Sequence, residues 1–485
     1  MNRFSEKLLR GWVGFGPRFL PFADAATPEL PLGRLLRLAL LQVSVGMALV
    51  LLIGTLNRVM IVELGVPASL VGLMISLPLL FAPFRALIGF RSDTHRCELG
   101  WRRVPYIWKG TMVQFGGLAI MPFALLVLAG AGDAARAPAW IGDVGAALAF
   151  LLVGAGLHTT QTVGLALATD LAPVGKQPNV VGLMYVMLLL GMIASALVFG
   201  ALLVDFTAGR LVQVIQGAAV ATVAINVIAL WKQEARRPRR GADAVAPVRD
   251  PTFRESWATF SAGDSTIRRL VAVGVGTMAF SMEDVLLEPY GGQVLHLTVG
   301  ATTKLTAALA LGGLSGFALA SRVLSRGFDP FRMASIGALV GVPAFLCVMF
   351  AAPLGSPLLF ALGTLLIGFG GGLFGHGTLT ATMNRAPEHQ RGLALGAWGA
   401  VQASAAGIAV AISGVIRDLV TRSVQHHAAL GSFGGQASGY MAVYAIEVVL
   451  LVMTMLAMAP LVVRGAPALA GEGEAAAGDA VASRG

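Results

Sequence analysis

The sequence predicts an all-α polytopic membrane protein with twelve transmembrane helices in two six-helix halves. Of its 485 residues, 56% are hydrophobic and 12% are charged, and the mean hydropathy is +0.77. Apolar runs of about 20 residues recur along the chain, which is the length that spans a bilayer as an α-helix. The runs are continuous rather than alternating, which favours helices over the strands of a membrane barrel.

Each span is placed by the length of its apolar run and by the charges that flank it. The predicted spans are 38–61, 67–90, 105–130, 140–170, 180–204, 209–231, 269–290, 302–321, 330–352, 357–381, 392–416 and 440–463. The fourth run is too long for one straight crossing, so we expect that helix to protrude from the bilayer.

The basic residues predict the orientation. Of the 35 Lys and Arg residues, 28 lie in or next to the two termini and the connections that follow even-numbered spans, whereas five, including Arg417 and Arg422, lie in the opposite connections. This bias predicts that both termini are cytoplasmic. Because the charge is spread over loops on one side, the net charge of +10 does not indicate a nucleic-acid partner.

The polar segment 232–267 divides the spans six and six. It predicts a cytoplasmic linker between an N-terminal half, 38–231, and a C-terminal half, 268–464, with a cytoplasmic segment at 1–37 and a disordered cytoplasmic tail at 465–485. The motif ATDLAP at the end of span four is echoed by ATMNRAP at the end of span ten. This short echo indicates an internal duplication.

A charged cluster stands between spans two and three. Its spacing, Gly89-x-x-x-Asp93 followed by Gly100, Arg102 and Arg103, resembles the signature loop of the major facilitator superfamily, with an insertion before the second glycine. The resemblance implies a structural latch: Asp93 would meet the positive end of a helix in the other half, and the arginines would anchor the cytoplasmic surface. It also implies the fold of that superfamily.

Two segments of the chain, FAPFRALIGFRSDTHRCELGWRRVPYIWKGTMVQFGGLAIMPFALL (81–126) and FSMEDVLLEPYGGQVL (280–295), resemble the PucC/LhaA family of photosynthetic bacteria. Within that family, the N-terminal segment and the first span resemble LhaA more than PucC. The resemblance implies an assembly factor, or chaperone, of the intracytoplasmic photosynthetic membrane, the inner membrane of the bacterium. It would bind or deliver bacteriochlorophyll and promote assembly of the α and β polypeptides of the core antenna. The implied partners include the reaction centre–antenna core complex, bacteriochlorophyll synthase and membrane lipid, and carotenoid is a further implied cofactor.

Two histidines are candidate axial ligands for a chlorophyll magnesium. His158 and His376 lie deep in spans four and ten, and each follows a glycine-rich stretch that would accept a macrocycle against bare backbone. The alternative is that each histidine bonds to a neighbouring helix and that the glycines serve tight packing. Both interpretations stay open at this point.

Span seven carries the acids Glu283, Asp284 and Glu288. Such residues are rare within spans, so the pattern favours an interior polar site. A magnesium ligand at Glu283 or Glu288, a proton-coupling carboxylate and a structural partner for Arg58 are all open. Asn57 and Arg58 form a matching polar pair in span one, with the alternative that Arg58 extends outward to the membrane surface.

Three smaller expectations complete the candidate set. Pro289 and the following glycines predict a break at the outer end of span seven. Arg85 is expected to brace Asp93 or Asp170, whereas Glu447 in span twelve looks isolated and receives no role.

The motifs of phosphate loops, activated nucleophiles and paired metal-binding histidines do not occur in the sequence, which predicts a protein that is not an enzyme. The alternative to the assembly factor is a proton-coupled secondary transporter that uses the acids of span seven and Arg58.

Overall fold

The structure is a computed structural model of the full chain. It describes residues 25–80, 85, 88, 91–92, 100–130, 136, 138–173, 176–235, 265–385, 391–426 and 437–463. None of these residues forms a β-strand, and the all-α class is confirmed. The predicted linker and tail lie largely outside the described residues, so the domain boundaries stay predictions.

The helices follow the predicted spans in order. We number them α1 (Leu32–Leu49, continued by Val50–Leu56 and Val59–Glu63), α2 (Ala68–Leu80), α3 (Val104–Leu128), α4 (Ala139–Leu171), α5 (Gln177–Leu202), α6 (Ala208–Leu230), α7a (Thr266–Ser281), α7b (Leu287–Gln293), α8 (Val299–Leu324), α9 (Pro330–Ala351), α10 (Pro357–Arg385), α11 (Arg391–His426) and α12 (Ala437–Val463). Eleven of the described spans, with α7a and α7b taken together, are long and apolar enough to cross a membrane, and α2 is a shorter apolar helix. The protein is therefore a multi-pass membrane protein.

The first span changes its winding in mid-membrane. After Leu49 the backbone adopts π-helical turns over Val50–Leu56 and Val59–Glu63. Such wide turns are rare and often lie at functional sites. They carry Asn57 and Arg58 towards α7a and α7b.

The seventh span is interrupted, but not where the sequence analysis placed the break. A short 3-10 turn, Glu283–Val285, separates α7a from α7b. Pro289 lies in the first turn of α7b rather than at its end. A proline ring clashes with the carbonyl group four residues earlier, here that of Val285, so the helix stops before the proline.

The eleventh span is longer than predicted. It continues to His426, so Arg417 and Arg422 lie in the helix and not in a connection. The cause is a set of polar partners for Arg417, described below, which satisfy its charge within the bundle.

Glycines set the closest helix contacts. A methyl group at Gly368 of α10 would overlap the carbonyl oxygen of Leu309 in α8, and one at Gly337 of α9 would lie 2.6 Å from the carbonyl oxygen of Gly370. Across the two halves, Gly200 of α5 and Gly300 of α8 face each other in the same manner. Small residues let helix backbones approach closely in membranes.

We expect Gly368→Ala to lower the free energy of unfolding by about 1–3 kcal/mol, because the added methyl group must push α8 away from α10. Gly375→Ala in the same helix is the matched control, since nothing lies within 4 Å of the added carbon. Thermal unfolding in detergent, followed by tryptophan fluorescence, compares the two. Equal stability of both variants would contradict the packing role of Gly368.

Candidate functional site

The polar residues of span one and span seven meet between the halves. Asn57 Nδ2 donates a hydrogen bond to the backbone oxygen of Asp284 at 3.1 Å. Thr55 of α1 and Thr303 of α8 are joined by a hydroxyl contact of 3.3 Å. The predicted polar pair of span one and the acids of span seven therefore form one site.

Arg58 is buried in this site, with 3% of the residue exposed. Its guanidinium forms an ion pair with Glu63 and donates to the carbonyl oxygen of Leu297 at 3.0 Å. Gly292 makes room for it, because a methyl group there would lie 3.0 Å from Arg58 Nε. The interpretation that Arg58 extends outward to the membrane surface is wrong, since 4% of its side chain is exposed, against 36% for its partner Glu63.

Glu288 lies on α7b beside Arg58, which acts on it electrostatically. Its Oε1 accepts a hydrogen bond from Thr306 of α8, and Gly54 of α1 leaves the space for that oxygen. Its Oε2 has no hydrogen-bond partner in the described part of the chain. Glu288 thus joins α7b to α8 and α1, with one oxygen unused.

Glu447 joins this set, although the sequence analysis left it without a role. It is fully buried, and both Glu283 and Asp284 act on it electrostatically. Span twelve packs against α7a, which the order of spans along the chain does not reveal. An acid within a span was the available signal, and the isolation ascribed to Glu447 is wrong.

Aromatic rings enclose these acids on the side that faces α7b. The ring of Tyr290 lies 5.4 Å from that of Tyr440 and 5.5 Å from those of Tyr444 and Phe360, centroid to centroid. All four are fully buried. Tyr290 also donates to the carbonyl oxygen of Val348 at 3.2 Å. The four rings, which we call the aromatic wall, are thereby bonded to α9.

A second polar cluster lies at the end of the bundle away from the chain termini. We call it the distal cluster; its members are Gln293, Arg417, Asp418 and Tyr440. Gln293 Oε1 accepts from Arg417 at 2.5 Å and from Tyr440 at 2.7 Å. Asp418 pairs with Arg417 at 2.8 Å and accepts from the backbone N–H of Ser69 at 2.8 Å. The distal cluster therefore ties α11, α12 and α7b of one half to the start of α2 in the other.

His158 lies in a polar group of the N-terminal half. It is 8% exposed, and Arg85 acts on it electrostatically. Arg85 donates to Thr162 Oγ1 at 2.9 Å and to Gln161 Oε1 at 3.0 Å. These two bonds replace the bracing of Asp170 that the sequence analysis assigned to Arg85. His158 Nδ1 is buried and lacks a hydrogen-bond partner among the described residues.

His376 lies on α10 against the ring of Phe317, with 4.2 Å between ring centroids. Its Nδ1 is also buried and unpartnered within the described ranges. Of the glycines around it, Gly372 and Gly377 pack tightly against α8 and α9, whereas the space beside Gly375 is open. The tight-packing interpretation holds for most of this glycine-rich stretch, and open backbone remains next to His376.

The two histidines do not occupy equivalent positions in the two halves. His158 precedes the motif ATDLAP by ten residues, and His376 precedes its echo ATMNRAP by five. At about 1.5 Å of rise per residue, the five-residue difference moves the two side chains to different depths. Two groups bound by these histidines would therefore lie at different depths in the membrane.

The predicted latch is described in part. Gly89 and Asp93 lie outside the described residues. Gly100 has a φ of +80°, a conformation that favours glycine. Arg102 and Arg103 both pair with Asp170 at the end of α4, Arg103 at 3.0 Å.

Glu234 completes the group by accepting from the backbone N–H groups of Arg102, Arg103 and Val104 at 2.9–3.1 Å. The carboxylate thereby caps the start of α3. The described contacts of the two arginines therefore lie within the N-terminal half and at the start of the segment 232–267.

The family model for the PUCC protein matches residues 55–466, which includes the polar and charged site residues above. The chain belongs to the PUCC family. Three curated relatives support this assignment. The chain is 65% identical to "Protein PucC" of Rhodovulum sulfidophilum over 87% of this chain and 92% of that protein. It is 58% identical to "Protein PucC" of Cereibacter sphaeroides over 95% and 98%.

The third relative is more distant. The chain is 28% identical to the "Bacteriochlorophyll synthase 44.5 kDa chain" of Rhodobacter capsulatus over 83% of this chain and 92% of that protein. The family prediction is confirmed. The two nearer relatives carry the name PucC, and the finer resemblance to LhaA stays a prediction.

Solved structures show the fold of this PUCC family member. It resembles a variant of the nucleoside transporter NupG with a TM-score of 0.63 at 13% identity, over 88% of this chain and 98% of that chain. The predicted fold of the major facilitator superfamily is confirmed. At this level of identity the likeness concerns the fold alone.

The acids of the PUCC site do not form a metal centre of their own. Among the described residues, no three His, Cys, Asp or Glu side chains converge on a point where they could hold a metal ion.

Proposed function

We propose that this protein is an assembly factor for light-harvesting antenna complexes in the photosynthetic membrane, and that it holds bacteriochlorophyll while antenna polypeptides associate. The observation that carries the proposal is membership of the PUCC family across residues 55–466. The relative named as a bacteriochlorophyll synthase chain supports a role in the handling of that pigment.

His376 is the residue that fits a pigment best. Its Nδ1 is unpartnered among the described residues, the backbone at Gly375 is open, and Phe317 presents a ring beside it. A bound bacteriochlorophyll would supply a magnesium that accepts a ligand from the protein, together with an apolar macrocycle. His376 would hold the magnesium, while Gly375 and Phe317 would border the macrocycle.

His158 is a second candidate ligand with an unpartnered Nδ1 in the described part of the protein. The neighbouring Arg85 would face a polar substituent of a macrocycle bound there. Axial ligation by Glu283 or Glu288 remains proposed as well, although both residues are at most 3% exposed. A pigment would have to separate α7b from its neighbours to reach either carboxyl group.

The proposed partners are the antenna α and β polypeptides, the reaction centre–antenna core complex and bacteriochlorophyll synthase, with carotenoid as a further cofactor. The proposed location is the intracytoplasmic photosynthetic membrane with both termini in the cytoplasm. Resemblance to LhaA favours the core antenna over the peripheral antenna. The protein would act by binding, without a catalytic step of its own.

The test is the near-infrared spectrum of the full chain, purified in mild detergent from pigmented membranes that lack all antenna polypeptides. We expect a stoichiometric bacteriochlorophyll band. In membranes that contain the antenna, the polypeptides recovered with the protein decide between core and peripheral antenna. A colourless protein in both membranes, with no antenna polypeptide attached, would overturn the proposal.

We expect His376→Phe to lower the pigment content of the purified protein at least about tenfold, since the loss of one axial ligand removes more than the 1.4 kcal/mol that corresponds to a factor of ten. His296→Phe is the control, because His296 lies in the exposed loop between α7b and α8. Pigment is extracted and counted per protein. Full pigment in His376→Phe would exclude this residue as the ligand, and His158→Phe would then test the second site.

A proton-coupled transporter is the second candidate function. The buried acids Glu283 and Glu447, together with the partly exposed Asp284, favour it, because transporters place such groups along ion pathways. Uptake of a solute into vesicles that collapses with the proton gradient and with Glu283→Gln would support this function. Uptake that survives both changes would refute it.

A further inference from the structure

We infer that Glu283, Asp284 and Glu447 form a proton-binding site within the membrane, completed by the hydroxyl group of Tyr444. This inference goes beyond the proposed function, because it holds whether or not the protein binds pigment. The three carboxyl groups come from the 3-10 turn at 283–285 and from α12.

The strongest observation is the set of unused polar atoms. Glu447 is 0% exposed, and neither of its carboxyl oxygens has a hydrogen-bond partner among the described residues. Its carboxyl group lies close to the backbone of Glu283, but the two groups do not have the geometry of a hydrogen bond. Glu283 Oε2 and Tyr444 Oη are likewise buried and unpartnered in the described ranges. Buried polar atoms are normally bonded, so four such atoms together mark a missing ligand.

The charges around these atoms are all of one sign. Glu283 and Asp284 act on Glu447, and Glu447 and Glu283 in turn act on Tyr444, which also faces Tyr290 and Tyr440. The nearby cation, Arg58, acts on Glu288 and is paired with Glu63. The cluster therefore has no described counter-charge of its own.

A bound proton would supply both a hydrogen-bond partner for the unpartnered atoms and a positive charge for the cluster. Several ionised carboxylates without counter-ions in a dry interior would cost several kcal/mol each. A hydronium ion that gives its proton to a carboxylate leaves water behind and forms an O–H bond, which cancels one negative charge. The new O–H group then donates to an adjacent carboxyl oxygen or to Tyr444 Oη, which uses the unpartnered acceptors.

Aromatic rings border the cluster on the side of Tyr444, whereas Asp284 is partly exposed. The wall of Tyr290, Tyr440, Tyr444 and Phe360 is fully buried, and the described acids do not converge on a metal position. Asn57 donates to the backbone oxygen of Asp284, so the protonated turn is also the contact point of the two halves. Loss of the protons would place like charges next to that contact.

The test is infrared spectroscopy of the purified full chain at pH 7, in the absorption of protonated carboxyl groups. An exposed glutamate titrates at about 4.3 and is ionised at pH 7, so this absorption reports buried acids. We expect a band in the unmodified protein that shifts in D₂O and loses a component in Glu447→Gln and in Glu283→Gln. Asp205→Asn, in the exposed turn after α5, is the control and should leave the band unchanged.

Tyr444→Phe gives a second measurement if the glutamine variants fail to fold. It keeps all three carboxyl groups and removes the hydroxyl group, so the band should remain and move in frequency. No carboxylic acid band at pH 7, or a band that is the same in all of these variants, would overturn the inference. Because the measurement needs neither pigment nor antenna, a negative result would count against the proton-binding site and not against the proposed assembly function.

Discussion

Arg58→Gln is expected to lower the free energy of unfolding by about 1–3 kcal/mol, because it removes a charged donor from buried acceptors, whereas its ion-pair partner Glu63 is exposed. The substitution removes the partner of Glu63 and the donor to the Leu297 carbonyl oxygen. It also leaves Glu288 without its nearby positive charge. The measurement is thermal unfolding in detergent, together with the yield of folded protein.

The double variant Arg58→Gln, Glu63→Gln tests whether the two charges are coupled. It removes both charges of the pair, and we expect it to recover part of the lost stability because Glu63 no longer remains as an unpaired anion. If the double variant is as unstable as the sum of the two single variants, the two side chains are not coupled and the pairing described here is wrong.

Tyr290→Ala is expected to cost about 3–5 kcal/mol, the range for truncating a large buried aromatic side chain. Its ring lies 5.4–5.5 Å from three other rings, and its removal opens a cavity next to the acids. Tyr290→Phe is the matched control. It keeps the ring and loses the hydrogen bond to Val348, which should cost about 1 kcal/mol.

The same pair of variants reports on water access. Exchange of the acidic protons in D₂O should be faster in Tyr290→Ala than in Tyr290→Phe, because the cavity lets water reach the carboxyl groups. Similar stability of the two variants would show that the aromatic wall does not hold α7b in place.

Much of the fold follows from local sequence, because a bilayer requires long apolar helices. The prediction of span nine, 330–352, differs by one residue from the structure, Pro330–Ala351. Here a helix-capping Asp329 and a proline mark the start. Span eleven was misjudged because Arg417 looked like a loop residue, whereas partners distant in sequence satisfy it inside the bundle.

The candidate site was also predictable from the sequence only in part. The sequence alone singled out Arg58, Glu283 and Glu288, since charges within spans are conspicuous in any apolar run. It did not reveal Glu447 as their neighbour, nor Gln293 as the centre of the distal cluster. Such contacts depend on which helices pack together across 124–164 residues of chain, and no local pattern encodes that order.

The π-helical turns of span one have a consequence for changes in chain length. A wide turn holds one more residue than an α-helical turn, so a deletion of one residue within 50–56 would be absorbed as ordinary helix. Because the shortened turn would cover the same angle, Arg58 would still point towards Glu288 and Leu297, and the span would still cross the bilayer. A deletion of one residue in the regular helix Leu32–Leu49 would instead rotate everything after it by about 100° around the helix axis. The wide turns thus hold one spare residue, and we expect the site to tolerate the loss of a residue there better than in the helix before it.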